Sequence, residues 1–264
     1  MQPSLRRLPE RNVHIRFHKI PHPVLKTDGK CERMERNIYP EGKRFMKKST
    51  PLQYGIRILI YCVALFLMSL GVALSVNSNL GVSPVNSLPY VISQIIHVQM
   101  GTCVTVLFCF YIFLQIAILR KEFHLVNLLQ IAFSTLFGYF VDFAKLLVGD
   151  FAIPTYAGKL TMLAGSILLI SLGVMLYIDV ELVPMPMEGL SSCIAKKLGK
   201  PFPTMKTVVD CIVVATGVVL SFLFLGKLDG IREGTIITAA VTGKLIAVFR
   251  KFLSPTIKKI CFGE

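Results

Sequence analysis

Two proline elbows carry most of the polar groups with the spacing of a binding site: Ser83, Pro84 and Asn86 in the first, Pro186 and Glu188 in the second. Proline is favoured in the first turn of a helix, where its missing N–H is not needed and its φ is preset, so Pro84 and Pro186 read as helix starts. Ser83 is placed to cap the first of them. A helix that begins part-way through an apolar phase directs free N–H groups and a partial positive charge inward, which suits an anionic group on a solute. If the pair instead carries a proton or a cation, Glu188 is the member that titrates, and Asn86 can only hydrogen-bond.

Further ionisable residues stand inside apolar stretches, where each costs about 2.5 to 3.5 kcal/mol on insertion scales and needs compensation. Lys206 and Asp210 are four apart, the spacing of a neutralising pair with a structural or coupling role. Asp142 and Lys145 read as structural residues that snorkel from the end of their stretch. Lys244 follows Gly243 deep in the last apolar stretch; it either is structural, pairs with Glu188 or attracts an anion.

Other chemistries are poorly supplied. His14, His18 and His22 have a metal-capable spacing on a helix, but Pro21 and Pro23 argue against a helix there. The seven cysteines include no Cys-x-x-Cys pair, so neither a disulfide framework nor a metal site is expected, and no cofactor. No Ser/His/Asp set, His-Glu-x-x-His motif or phosphate loop points to an enzyme.

The elements that position the elbows follow from hydropathy. A mean hydropathy of +0.64 with 53% hydrophobic residues makes the bilayer the solvent. Stretches 54–76, 102–119, 124–147, 159–178, 204–225 and 231–249 are each long enough to span as helices. Stretches 85–98 and 187–198 are shorter than a span, so each is expected to enter and turn back.

The apolar region also repeats. Residues 69–88 recur without a gap 102 positions later as 171–190, with Ser69/Ser171, Leu70/Leu172, Gly71/Gly173, Val72/Val174, Leu74/Leu176, Leu80/Leu182, Pro84/Pro186 and Leu88/Leu190 coinciding. Farther on, Phe137-Gly138 falls opposite Thr242-Gly243, an offset of 105. A repeat with a Pro-interrupted short segment at corresponding places points to a pseudo-symmetric transport fold. In the last helix Thr235, Ala239 and Gly243, and likewise Gly234, Thr238 and Thr242, recur every four residues and offer small faces for close packing, a role also expected of Ser69/Gly71 and Ser171/Gly173 in the helices that open the repeats.

Residues 1–58 hold fourteen Lys or Arg and five Asp or Glu, nine of the fourteen net positive charges. This segment reads as a cytoplasmic positive-inside tail, or more sharply as an arm touching anionic lipid. It shows no nucleic-acid-binding module. Met46, just ahead of the first span, resembles a translational start, and residues 1–45 lack helical periodicity.

Two threadings compete. With both short segments re-entrant, six spans place the N-terminal tail, Arg120/Lys121, Lys196/Lys197/Lys200/Lys206 and Arg250/Lys251/Lys258/Lys259 on the cytoplasmic side; with both crossing, eight spans move Arg120/Lys121 outside. The first fits the charge bias better. Its odd number of crossings per repeat inverts the second copy. The expected fold is therefore an all-α polytopic membrane protein of two inverted repeats, each with three spanning helices and one short re-entrant helix. Residues 1–53 form the basic tail, 54–150 and 151–252 the two repeats, and 253–264 a short basic cytoplasmic tail.

The pattern Leu80-Gly81-x-x-Pro84-x-Asn86-x-Leu88, followed by apolar helices and a degenerate second copy, resembles the YczE/YyaS/YitT-type integral membrane proteins, where it commonly reads Leu-Gly-x-x-Pro-Trp-Asp-x-Leu. The resemblance covers 54–252. Val85 stands where that family often has Trp, and Asn86 where it often has Asp. Gly234-Thr235-Ile236 is similar to the family's Gly-Thr-Ile element, whereas its first-repeat mate reads Leu129-Gln130-Ile131. The resemblance implies a polytopic membrane fold and brings no activity with it.

The expected function is a permease of the plasma membrane for a small solute, bound near the elbows by Ser83, Pro84, Asn86, Pro186, Glu188 and Lys244, with lipid as its surroundings. The alternative is a non-transporting accessory protein that stabilises or localises a partner enzyme or complex. Elbows facing a water-accessible cavity favour the first, and elbows packed shut favour the second.

Overall fold

A computed structural model describes residues 51–120, 123 and 125–262 of the chain. The expectations for the basic tail, residues 1–50, lie outside the described residues. Within them the chain forms eight α-helices: α1 Pro51–Ser78, α2 Pro84–Ile96, α3 Met100–Leu119, α4 Leu129–Val148, α5 Tyr156–Asp179, α6 Pro186–Leu198, α7 Phe202–Leu220 and α8 Glu233–Phe262. A 3-10 turn, Leu125–Leu128, leads into α4, and a π-helical turn, Ser221–Leu225, extends α7.

Five helices are long and apolar enough to cross a membrane: α1, α3, α4, α5 and α7 with its π-turn, Phe202–Leu225. The sixth expected stretch, 231–249, is helical from Glu233 onward as part of α8 but is not among the five. Lys244, Arg250 and Lys251, together with its Thr and Gly residues, lower its apolarity. The two short stretches are helices of 13 residues beginning at Pro84 and Pro186, as proline in a first turn predicts. At 1.5 Å per residue each rises only about 20 Å.

Both short helices are framed by matching turns. Asn79 (φ 54) and Glu181 (φ 49) take left-handed conformations ahead of the elbows, and His97 (φ 54) and Gly199 (φ 61) close the two helices. Each pair is 102 residues apart.

The most extensive contact joins α1 to α5. A side chain at Gly71 would lie 2.9 Å from the Ser166 carbonyl and 2.7 Å from Ile170, and one at Gly173 would lie 2.7 Å from the Ala64 carbonyl and against Met68. Adding 102 to 64, 68 and 71 gives 166, 170 and 173, so one contact is the other with the two helices exchanged. The pairing also makes α1 and α5 antiparallel. Small residues here let two helix backbones meet, the usual source of stability between helices in lipid.

Other packing recurs in the same way. α4 lies on α1 as α8 lies on α5; α7 lies on α2 as α3 lies on α6; and each short helix packs on the helix that follows it. The contact of α3 with α4 does not recur. α3 and α4 pack closely, with Gly101 set against the Gly138 carbonyl, the Gly101 N–H donating to Asp142 Oδ1 at 2.7 Å, and Phe108 stacked on Phe137 at 6.1 Å. Asp142 therefore serves α3 rather than Lys145. No comparable contact joins α7 to α8, and Gly243, the counterpart of Gly138, is exposed with no atom within 4 Å of an added Cβ.

Candidate functional site

The segment leading into α6 is fixed from α1. Arg57, buried although charged, donates from Nε to the Val180 carbonyl at 2.8 Å and from Nη2 to the Glu181 carbonyl at 2.7 Å. Tyr61 Oη donates to the Val183 carbonyl at 3.1 Å. A guanidinium is well matched to carbonyls at a helix C-terminus, where the dipole is negative. Beside it, Arg250 of α8 pairs with the fully buried Asp179 at 3.0 Å.

The start of α6 is held from the other half of the chain. Gln115 Nε2 donates to the Pro186 carbonyl at 2.9 Å and to Gln130 Oε1 at 3.1 Å, and both glutamines are buried. Gly189 has no Cβ because Gln115 fills its space: an added carbon would lie 2.7 Å from Gln115 Oε1.

Glu188 is the third residue of α6. Its carboxyl group lies within the field of Lys206, Asp210 and Tyr177, and Oε2 is buried with no hydrogen-bond partner among the described residues. Lys206 Nζ donates to both oxygens of Asp210, at 2.5 and 2.7 Å, the pair expected from their spacing on α7. Tyr111 of α3 lies near Asp210, and its buried hydroxyl has no partner among the described residues. Tyr61 is within the field of Glu188 and meets Tyr177 edge-on at 6.0 Å. α3, α5, α6 and α7 thus bring two carboxylates, one ammonium and aromatic hydroxyls into one cluster.

The first elbow holds no charge. Ser75 Oγ donates to the Gly81 carbonyl at 2.9 Å, Val82 N–H to the Gly230 carbonyl at 2.9 Å, Gly234 N–H to the Leu80 carbonyl at 2.8 Å and Arg232 Nη1 to the Asn79 carbonyl at 3.1 Å. Gly81 (φ 112) packs against Thr235, with 2.6 Å between an added Cβ and the Thr235 hydroxyl. Ser83 occupies the N-cap position of α2, yet its side chain makes no cap bond. Its hydroxyl instead accepts from Asn86 Nδ2 at 3.0 Å, and Asn86 Oδ1 is buried without a partner among the described residues.

The candidate residues therefore fall into three places. Ser83, Pro84 and Asn86 share one elbow; Pro186, Glu188, Lys206 and Asp210 share the other. Lys244 stands apart: it is exposed on α8 and forms no ion pair among the described residues, so it does not join Glu188. The two elbows are not directly bonded, and each short helix packs on both α3 and α7. A surface groove on α7, lined by Ile212, Ala215, Thr216, Val219 and Leu220, touches neither elbow.

The two halves are unequal in charge. Glu188, Lys206 and Asp210 correspond, 102 residues earlier, to Asn86, Val104 and Phe108, of which the last two are fully buried and apolar. Arg57, Tyr61, Gln115 and Gln130 were not singled out from sequence, although an arginine and two glutamines inside apolar stretches are a visible signal of compensation.

Residues 55–251 match the Family of unknown function (DUF6198). The uncharacterized protein YyaS of Bacillus subtilis (strain 168) is 26% identical over 205 residues, 75% of this chain and 97% of that protein. That similarity accords with the YyaS part of the resemblance; neither match bears the YczE or YitT name. No solved structure matches the chain.

Proposed function

This chain belongs to the DUF6198 family of unknown function, and we propose that it is a plasma-membrane permease for a small solute, with both termini cytoplasmic and no catalytic role. The observation that carries this reading is the pair of short Pro-started helices, each with a buried oxygen left without a partner: Asn86 Oδ1 and Glu188 Oε2. An unmet buried acceptor costs about 1 to 3 kcal/mol, more when charged, which a solute with donors would relieve. The antiparallel seating of α1 on α5 through contacts repeated at 102 residues supports two inverted repeats of three spans each, because parallel repeats would make these helices run the same way. The positive-inside bias supports the orientation.

The accessory-protein reading is favoured by the packing of the elbows: Ser83, Asn86 and Pro186 are buried, the groove on α7 touches neither elbow, and backbone bonds tie the first elbow to residues 230–235. Solute-uptake screening in proteoliposomes separates the two. Transport predicts uptake of at least one solute that Glu188→Gln reduces strongly while expression and thermal midpoint stay nearly unchanged. Uptake unaffected by that substitution, or absent across the screen, removes the proposed role.

A further inference from the structure

The second elbow has the form expected for an anion site, but its positive end is already occupied. Glu188 is the acidic residue in the first turn of α6, so the positive end of the helix dipole is met by a side chain of its own. Around it stand Asp210, the single cation Lys206 and the ring hydroxyls of Tyr61, Tyr111 and Tyr177. Both oxygens of Asp210 already take up the Lys206 ammonium, so an entering anion finds that cation occupied.

A cation meets the reverse. Lys206 Nζ sits on Asp210 with both carboxylate oxygens as acceptors, a demonstration that the cluster holds an ammonium group. Lys206 is about one-fifth exposed and sits on a flexible four-carbon stem. Two further acceptors lack partners among the described residues, Glu188 Oε2 and Tyr111 Oη, and Tyr111 is only 4% exposed. In the other half, Asn86, Val104 and Phe108 offer nothing comparable.

We propose that the cluster between α3, α6 and α7 binds a primary ammonium group, in the place now held by the Lys206 side chain, with Asp210 and Glu188 as counter-ions and Tyr111 as a polar contact. The group belongs either to the ammonium ion or to the amino end of a small organic solute. Lys206 acts as a tethered occupant that the ligand displaces. This deepens the permease reading, since the ligand is the solute of that reading, but binding is measured without transport.

The test is the thermal midpoint of the full chain in detergent, titrated with ammonium chloride, methylammonium chloride, ethanolamine hydrochloride and sodium chloride at equal ionic strength. A saturable rise with one or more of the nitrogen cations, absent with sodium, is expected. Ammonium acting alone identifies the ion, whereas a stronger effect of methylammonium or ethanolamine identifies an organic amine. Lys206→Met removes the tethered competitor and should tighten binding by about tenfold or more. Asp210→Asn and Glu188→Gln should each weaken it by at least tenfold; either variant, if folded, suffices. No nitrogen-specific rise in both the native chain and Lys206→Met overturns the proposal, as does a larger rise with sodium acetate or sodium phosphate. Amine binding without uptake in proteoliposomes defeats the permease reading and leaves the site standing. Uptake of another solute, indifferent to amines and to Lys206→Met, does the opposite.

Discussion

Gln115 donates to the carbonyl of Pro186, 71 residues away, so α3 carries the start of α6. The bond crosses from one half of the chain to the other and sets the height at which Glu188 enters the cluster. Gln115→Leu keeps the volume approximately and removes the donor, leaving Pro186 and Gln130 short of a partner. A loss of about 1 to 3 kcal/mol is expected. It would be measured as a lower thermal midpoint in detergent, accompanied by weaker amine binding; an unchanged midpoint would show that the bond is not formed.

Gly101 and Gly243 should respond oppositely to the same change. At Gly101 an added methyl collides with the Gly138 carbonyl, and overpacking of this kind costs about 1 to 3 kcal/mol. At Gly243 the methyl meets nothing within 4 Å, and alanine favours the helix by up to about 1 kcal/mol. Gly101→Ala should lower the thermal midpoint, and Gly243→Ala should leave it unchanged or raise it. A large loss at Gly243 would mean that α7 or a second copy does cover that face.

Arg57→Gln shortens the side chain and removes its charge, leaving the Val180 and Glu181 carbonyls without their charged donor. Hydrogen bonds to charged groups contribute about 1.5 to 3 kcal/mol. The substitution should destabilise the chain by that order and raise proteolytic cleavage between α5 and α6. Equal cleavage in both proteins would count against Arg57 as the clamp on this segment.

Single cysteines placed at Arg120 and Lys197 on a cysteine-free background should react with an impermeant reagent from one membrane face only, that of the N-terminal tail. Labelling of position 120 from the opposite face would replace six crossings with eight.

Local spacing made part of this structure legible in the sequence. Pro84 and Pro186 start their helices because proline tolerates a first turn, and Lys206 meets Asp210 because four residues make one turn of a helix. The repeat at 102 residues anticipated the contacts of Gly71 and Gly173. Contacts between distant segments were less accessible. Glu188 has its charged neighbours on α7 rather than α8, because the phase of α8 turns Lys244 outward, and hydropathy says nothing about phase between helices. The Gln115 and Arg57 contacts join residues 71 and 123 or more positions apart, with no local pattern to mark them.

The guanidinium of Arg57 also lies 4.8 Å from the ring of Phe262, at the far end of α8, while Arg232, just before α8, reaches Asn79 just after α1. α8 therefore starts at the level where α1 ends and ends at the level where α1 starts. α8 thereby runs the length of α1 in the opposite sense. If α1 crosses the bilayer, α8, although too polar to be recognised as a span by its own composition, is held at the same depth beside α1 and α5. On that reading the first and last described helices open and close on one face, which six crossings allow and five do not.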